Sequence, residues 1–80
     1  MARRVEIRAP DYTGECAAVV SYWHRRVGDS VRQGQDLLEY ETDKATITLE
    51  SPCDGTVAEI LLDEDAQVRA GDLLGIVVAE

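Results

Sequence analysis

Hydrophobic and polar positions alternate along this chain in short runs. Val5-Glu6-Ile7-Arg8 keeps period two, and Thr46-Ile47-Thr48-Leu49-Glu50 does so strictly, which sends Ile47 and Leu49 to one buried face. Residues 17–25 are rich in Val, Tyr and Trp, types that suit a pleated, half-buried surface. Residues 37–41, 56–62 and 73–78 form further apolar runs. Turn formers separate them: Pro10-Asp11, Val27-Gly28-Asp29, Gln33-Gly34, Pro52-Cys53-Asp54-Gly55 and Ala70-Gly71-Asp72. No segment holds the i, i+3, i+4, i+7 pattern over the roughly ten residues a helix needs. Short strands at close spacing predict an all-β sandwich or barrel. Gly28, Gly34, Gly55 and Gly71 are expected at turn positions that use positive φ.

The pattern repeats at an offset of 37 residues. Cys16 falls on Cys53, Val20 on Val57, Val31 on Val68, Arg32 on Arg69, Gly34 on Gly71 and Leu37 on Leu74. Trp23 pairs with Ile60 and Tyr40 with Val77 in type. Two copies are too few for a solenoid, so they predict two similar halves related by a pseudo-two-fold axis. The three-residue step from Val20 to Trp23, repeated from Val57 to Ile60, breaks period two and predicts a bulge or a bend between sheets. Trp23 is the expected core aromatic.

Composition narrows the function classes. Eighty residues make one domain, 1–80, with a small core. A formal net charge of -8 argues against nucleic acid and against an anchor on anionic lipid, both of which require clustered bases. No apolar run approaches a membrane span, and the opening Met1-Ala2-Arg3-Arg4 lacks the apolar stretch of a signal peptide. Cys16 and Cys53 form no CxxC pair, and one His completes no zinc site. Reduced thiols in a cytoplasmic protein are the expectation, with a disulfide as the alternative. There is no Ser/His/Asp pattern, so a stand-alone enzyme is not expected.

All eight bases except Lys44 are arginine. Residues 37–41 and 46–50 flank Thr42-Asp43-Lys44-Ala45, a four-residue connection of the kind built around a type I turn, where an Asp side chain can bond nearby N–H groups. Lys44 is thereby expected at the tip of a two-stranded arm. A solvated lysine on a turn would look the same.

Glu39-Tyr40-Glu41-Thr42-Asp43-Lys44-Ala45-Thr46 resembles the lipoyl-lysine hairpin of lipoyl domains, the swinging-arm carriers of 2-oxoacid dehydrogenase complexes. The resemblance extends to Trp23, Val27-Gly28-Asp29-Ser30-Val31, Gly34, Leu37, Ser51-Pro52, Gly55-Thr56-Val57 and the early Pro10-Asp11 with Gly14-Glu15. It implies a flattened barrel-sandwich hybrid of two four-stranded antiparallel sheets, with internal two-fold symmetry and the termini opposite the hairpin. It also implies lipoic acid in amide linkage to Lys44, with Glu41, Thr42, Asp43 and Ala45 as flanks read by the modifying enzyme and other partners. Those partners would be a lipoate ligase or octanoyl- or lipoyl-transfer enzyme, a thiamine-dependent 2-oxoacid dehydrogenase, an acyltransferase core that passes the acyl group to coenzyme A, and dihydrolipoamide dehydrogenase. The isolated domain would be a monomeric, non-catalytic carrier within a dihydrolipoamide acyltransferase, its acidic flanks Glu41, Asp43 and Glu50 serving electrostatic recognition.

Two features depart from the family pattern. Ala18 stands where the family usually has Gly, and the loop from Pro10 to Trp23 differs in length, which bears on the choice of dehydrogenase. A biotinyl carrier on the same fold would place its lysine in Ala-Met-Lys-Met, whereas here the neighbours are Asp43 and Ala45. A lysine-independent barrel-sandwich interaction module would lack the Glu-Thr-Asp-Lys-Ala run.

Overall fold

A computed structural model describes residues 2–10, 18–43 and 45–79. These form eight strands: β1 (Arg3–Arg8), β2 (Ala18–Trp23), β3 (Ser30–Val31), β4 (Asp36–Thr42), β5 (Thr46–Glu50), β6 (Gly55–Ile60), β7 (Gln67–Val68) and β8 (Leu73–Ala79). They lie in two four-stranded antiparallel sheets, ordered β1-β8-β6-β3 and β5-β4-β2-β7. The sheets stay separate and do not close into a single barrel, and β2 and β6 each remain within one sheet instead of bending between the two. The two-residue strands β3 and β7 carry too little alternation to be seen in the sequence.

The repeat of 37 is carried into the backbone. β2, β3 and β4 map onto β6, β7 and β8 with identical offsets at both ends. The register of β2 on β4 shifts between Val20 and Tyr22, and that of β6 on β8 between Val57 and Glu59, so the predicted bulges are present in both halves. Turn bonds repeat as well. The Gly28 amide donates to the Val57 carbonyl at 2.8 Å, and the Asp65 amide donates to the Val20 carbonyl at 2.9 Å. Asp65, with φ 70°, occupies the place of Gly28, with φ 95°, and is the one non-glycine at positive φ among the described residues.

Side chains from both sheets fill the space between them. Trp23, 1% exposed, and Tyr40, fully buried, are its largest members. Tyr40 was not singled out as a core residue by its sequence context. The Trp23 Nε1 donates to the Leu62 carbonyl at 2.8 Å, so its one polar atom is satisfied. Gly75 makes room for the indole: a Cβ there would lie 2.8 Å from Trp23 Cη2 and 2.7 Å from the Glu59 carbonyl oxygen. Ile47 and Leu49 pack against this core as half-buried residues, while Thr46, Thr48 and Glu50 face outward, as the alternation predicts.

The expectation of positive φ holds for Gly28, Gly34 and Gly71 and is corrected for Gly55. Gly55 is a buried strand residue at the start of β6, and an added Cβ would overlap the Val78 carbonyl. Close backbone approach, not turn geometry, is what glycine supplies there. Cys53 is a half-buried free thiol, while Cys16 and the Asp11–Ala17 part of the divergent loop lie outside the described residues.

Candidate functional site

The β4–β5 hairpin is pinned from the core outward. Leu38 pairs with Leu49, Glu39 with Thr48, Tyr40 with Ile47 and Glu41 with Thr46. Tyr40 is fully buried and Ile47 packs on the core, so a one-residue slip would expose both; this locks the register of the arm.

Beyond Glu41 the structure narrows the predicted connection. β4 runs on to Thr42, and the Thr42 amide donates to the Ala45 carbonyl at 2.8 Å. The Ala45 amide donates to Thr42 Oγ1 at 3.1 Å, and the same hydroxyl approaches the Ala45 carbonyl oxygen at 3.2 Å. Thr42 and Ala45 therefore close the hairpin, and the expected four-residue link becomes a two-residue tip, Asp43-Lys44. Asp43 and Ala45 are exposed and Thr42 is half-buried. Lys44 itself lies outside the described residues. The side chain seen to brace the tip is that of Thr42, where sequence reasoning looked to Asp43. A hydroxyl one residue before a turn can make such a local bond, and that was the signal available.

Glu41, on the outer face, and Asp43 are the exposed acids described at this end; Glu50, expected to act with them, instead lies at the far end of β5, paired with Asp36. Farther along the same face Glu39 Oε1 meets His24 Nε2 at 3.1 Å, and the His24 ring stands edge-on to Tyr22 with centroids 5.0 Å apart. Ala18 is buried, opposite Thr42 on one side and Val68 on the other.

Asp43 and Ala45 at the tip line neither of two surface grooves, although the base of β5 borders one of them. A groove of about 600 Å³ is lined by β1, Glu59, Leu73 and Ile76, and one of about 200 Å³ by Glu6, Leu49, Glu50 and Pro52 among others. Among the described residues no group of three or more His, Cys, Asp or Glu could hold a metal ion. Among the described residues, the two-stranded arm ends in the exposed Asp43 and Ala45, which line neither groove, and this is the geometry of a carrier.

Comparison with known proteins agrees. The family model for biotin and lipoyl attachment, described as "Biotin-requiring enzyme", matches residues 5–77. The chain is 39% identical over 74 residues to the dihydrolipoyllysine-residue succinyltransferase component of the 2-oxoglutarate dehydrogenase complex of Rickettsia conorii, covering 90% of this chain and 18% of that protein. It is 43% identical over 76 residues to the dihydrolipoyllysine-residue acetyltransferase component of the mitochondrial pyruvate dehydrogenase complex of Caenorhabditis elegans, covering 94% of this chain and 15% of that one. It thus spans less than a fifth of the length of these relatives. The solution structure of the lipoyl domain of the 2-oxoglutarate dehydrogenase complex of Azotobacter vinelandii superposes with a TM-score of 0.76 at 31% identity, over 95% of this chain and 96% of that one. The chain belongs to the biotin/lipoyl family, and within it is a lipoyl domain of the type carried by acyltransferase components of 2-oxoacid dehydrogenase complexes.

Proposed function

We propose that Lys44 is the attachment point for lipoic acid and that the domain carries acyl groups between the active sites of a 2-oxoacid dehydrogenase complex. The observation that carries this reading is the two-residue tip Asp43-Lys44, closed by the Thr42–Ala45 bonds at the end of a register-locked arm. An enzyme can seat such a tip without disturbing the core.

In the attachment step the neutral Nζ of Lys44 attacks an activated acyl carbonyl. A C–N amide bond forms, the bond from the carbonyl to its leaving group breaks, and the Nζ proton passes to solvent. The lysine charge is lost, leaving Glu41 and Asp43 to set the charge of the tip. When attached, the dithiolane supplies a disulfide able to accept an acyl group reductively. The protein's part is to hold the anchor still: the Thr42 hydroxyl and the rung between buried Tyr40 and half-buried Ile47 fix the arm, and Asp43 and Ala45 beside the lysine are exposed. The partners that follow are a lipoate ligase or lipoyl-transfer enzyme, a thiamine-dependent 2-oxoacid dehydrogenase, the acyltransferase core and dihydrolipoamide dehydrogenase, with the domain itself a monomer. The relatives, acyltransferase components of 2-oxoglutarate and pyruvate dehydrogenase complexes, support the dehydrogenase and the core.

Intact mass and peptide mapping after incubation with lipoate ligase, ATP and lipoate test this directly. One lipoyl group on Lys44, and none on a Lys44→Arg variant, is the expected result. An unmodified Lys44 would overturn it, and the same mass reading separates lipoyl from biotinyl transfer.

A further inference from the structure

The outward faces of the two sheets differ in a way the carrier role does not require. On the first sheet the outward apolar residue Ile76 is buried. It lies between Glu6 and Glu59 in register, and Arg4 Nη2 meets Glu59 Oε2 at 2.9 Å across the intervening β8. The second sheet, which bears the lysine hairpin, leaves its outward apolar residues open: Val19 is 39% exposed and Tyr22 is 50% exposed. Val19 faces outward by simple alternation, and the bulge in β2 turns Tyr22 outward as well, because it inserts one residue between the Val20 and Tyr22 registers.

Charge is segregated in the same way. The strands of the second sheet contain Asp36, Glu39, Glu41 and Glu50 and not one Arg or Lys, whereas β1 of the first sheet alone contains Arg3, Arg4 and Arg8. Val19 stands opposite Glu41, and Tyr22 opposite Glu39. The apolar patch is thus rimmed by Glu41 and by Glu39, the latter in contact with His24, and begins one register step from Thr42, which closes the tip.

We propose that this face, centred on Val19 and Tyr22 and rimmed by Glu39 and Glu41, is the docking surface of the enzyme that acylates Lys44, and that this enzyme meets it with an apolar spot ringed by Arg or Lys. The inference rests on the reading of Lys44 as the attachment site. Reach selects the occupant. A lysine side chain extends only about four methylenes from its backbone, so an enzyme that forms a bond to Nζ must bring its surface against the neighbouring strands. An enzyme that reacts at the far end of the lipoyl arm has no such need. Charge excludes the other candidates: an acidic rim repels a second copy of the same face, an anionic membrane and nucleic acid.

The test compares rates of lipoyl transfer to the 80-residue chain. The substrates are the wild type, Val19→Ser with Tyr22→Ser, Glu39→Lys, and Glu6→Lys on the opposite sheet as a matched charge control. Folding is checked in each by thermal unfolding. Loss of a central apolar contact or reversal of a rim charge is expected to lower kcat/KM by about tenfold or more, chiefly through KM, while Glu6→Lys stays within about twofold. Wild-type rates in the folded Val19→Ser, Tyr22→Ser and Glu39→Lys variants would overturn the inference. So would unchanged lipoyl transfer with slowed reductive acylation, which would assign the face to the dehydrogenase, or a wild-type dimer in sedimentation that the Ser variant abolishes. No modification of wild-type Lys44 would overturn the carrier reading and this inference together.

Discussion

Trp23 does more than fill volume. Its ring reaches β8 where Gly75 leaves room, and its Nε1 caps the Leu62 carbonyl in the turn after β6. The halves therefore complement each other in size: Trp23 meets Gly75, while the equivalent positions hold Ile60 and Leu38. Trp23→Ala is expected to cost about 3–5 kcal/mol through lost burial and the cavity left behind, a large share of the roughly 5–15 kcal/mol that holds a small domain together. Urea unfolding followed by circular dichroism measures it, and an unshifted midpoint would mean the core is centred elsewhere. That Trp23 would be buried is legible in the sequence, because a lone Trp in an apolar strand has few other uses. The need for glycine at positions 55 and 75 is not legible, because the atoms that exclude a side chain belong to strands distant in sequence.

At the scale of the element, the β4–β5 hairpin separates its core-facing rungs from its tip. Its register is set by Tyr40, Ile47 and Leu49 toward the core, and its tip by Thr42 and Ala45. Exchanging the tip residues, Asp43→Lys with Lys44→Asp, leaves every one of those contacts in place. The exchanged domain is expected to keep its thermal midpoint within about 2 °C, as for surface changes of a few tenths of a kcal/mol. It is also expected to lose lipoyl transfer, because the amine has moved by one residue on a rigid arm. Mass spectrometry beside a thermal melt checks both, and efficient modification of the exchanged lysine would mean that the tip is not read geometrically. The hairpin itself was legible from the alternation on either side of Thr42-Asp43-Lys44-Ala45. The two-residue length of the tip was not, since whether Thr42 and Ala45 pair or loop depends on a hydroxyl geometry that composition leaves open.

Across the whole molecule, the pseudo-two-fold axis explains one contact that sequence pattern alone hides. Arg26 and Asp63 are equivalent positions, 37 apart, and they form a two-pronged ion pair with Nη1–Oδ1 at 3.1 Å and Nη2–Oδ2 at 2.9 Å. Opposite charges at equivalent positions can meet across such an axis, where like charges would repel. The hydrogen bonds from Arg26, aided by the Glu64 amide, hold the Asp63 carboxyl below its ordinary value of 3.8. A lowered folded value means that this stabilisation is present above the unfolded value and is lost as pH falls through the folded one. Arg26→Gln is expected to remove that part of the acid sensitivity, flattening the fall in thermal midpoint below about pH 4. Both groups are solvent-exposed, so the change is small and salt-dependent. NMR titration of Asp63 in the two proteins gives the sharper reading, and an Asp63 pKa that does not rise in Arg26→Gln would show that the ion pair is not its cause.

The sequence by itself determined the all-β class, the two halves, the paired bulges and the lysine hairpin. Each of these is written in local order: alternation, turn formers, a repeat of fixed offset, and a five-residue run with a single lysine. Tertiary structure decided the rest. It chose which four strands share each sheet, because pairing joins residues far apart in the chain. It decided that β3 and β7 exist as strands, because two residues become a strand only when a neighbour supplies their partners. It left Val19 and Tyr22 open on one face while Ile76 is closed over on the other, because exposure depends on what crosses above a residue: an Arg4–Glu59 bridge spans β8, whereas the His24–Glu39 pair lies beside Tyr22 and leaves it half exposed.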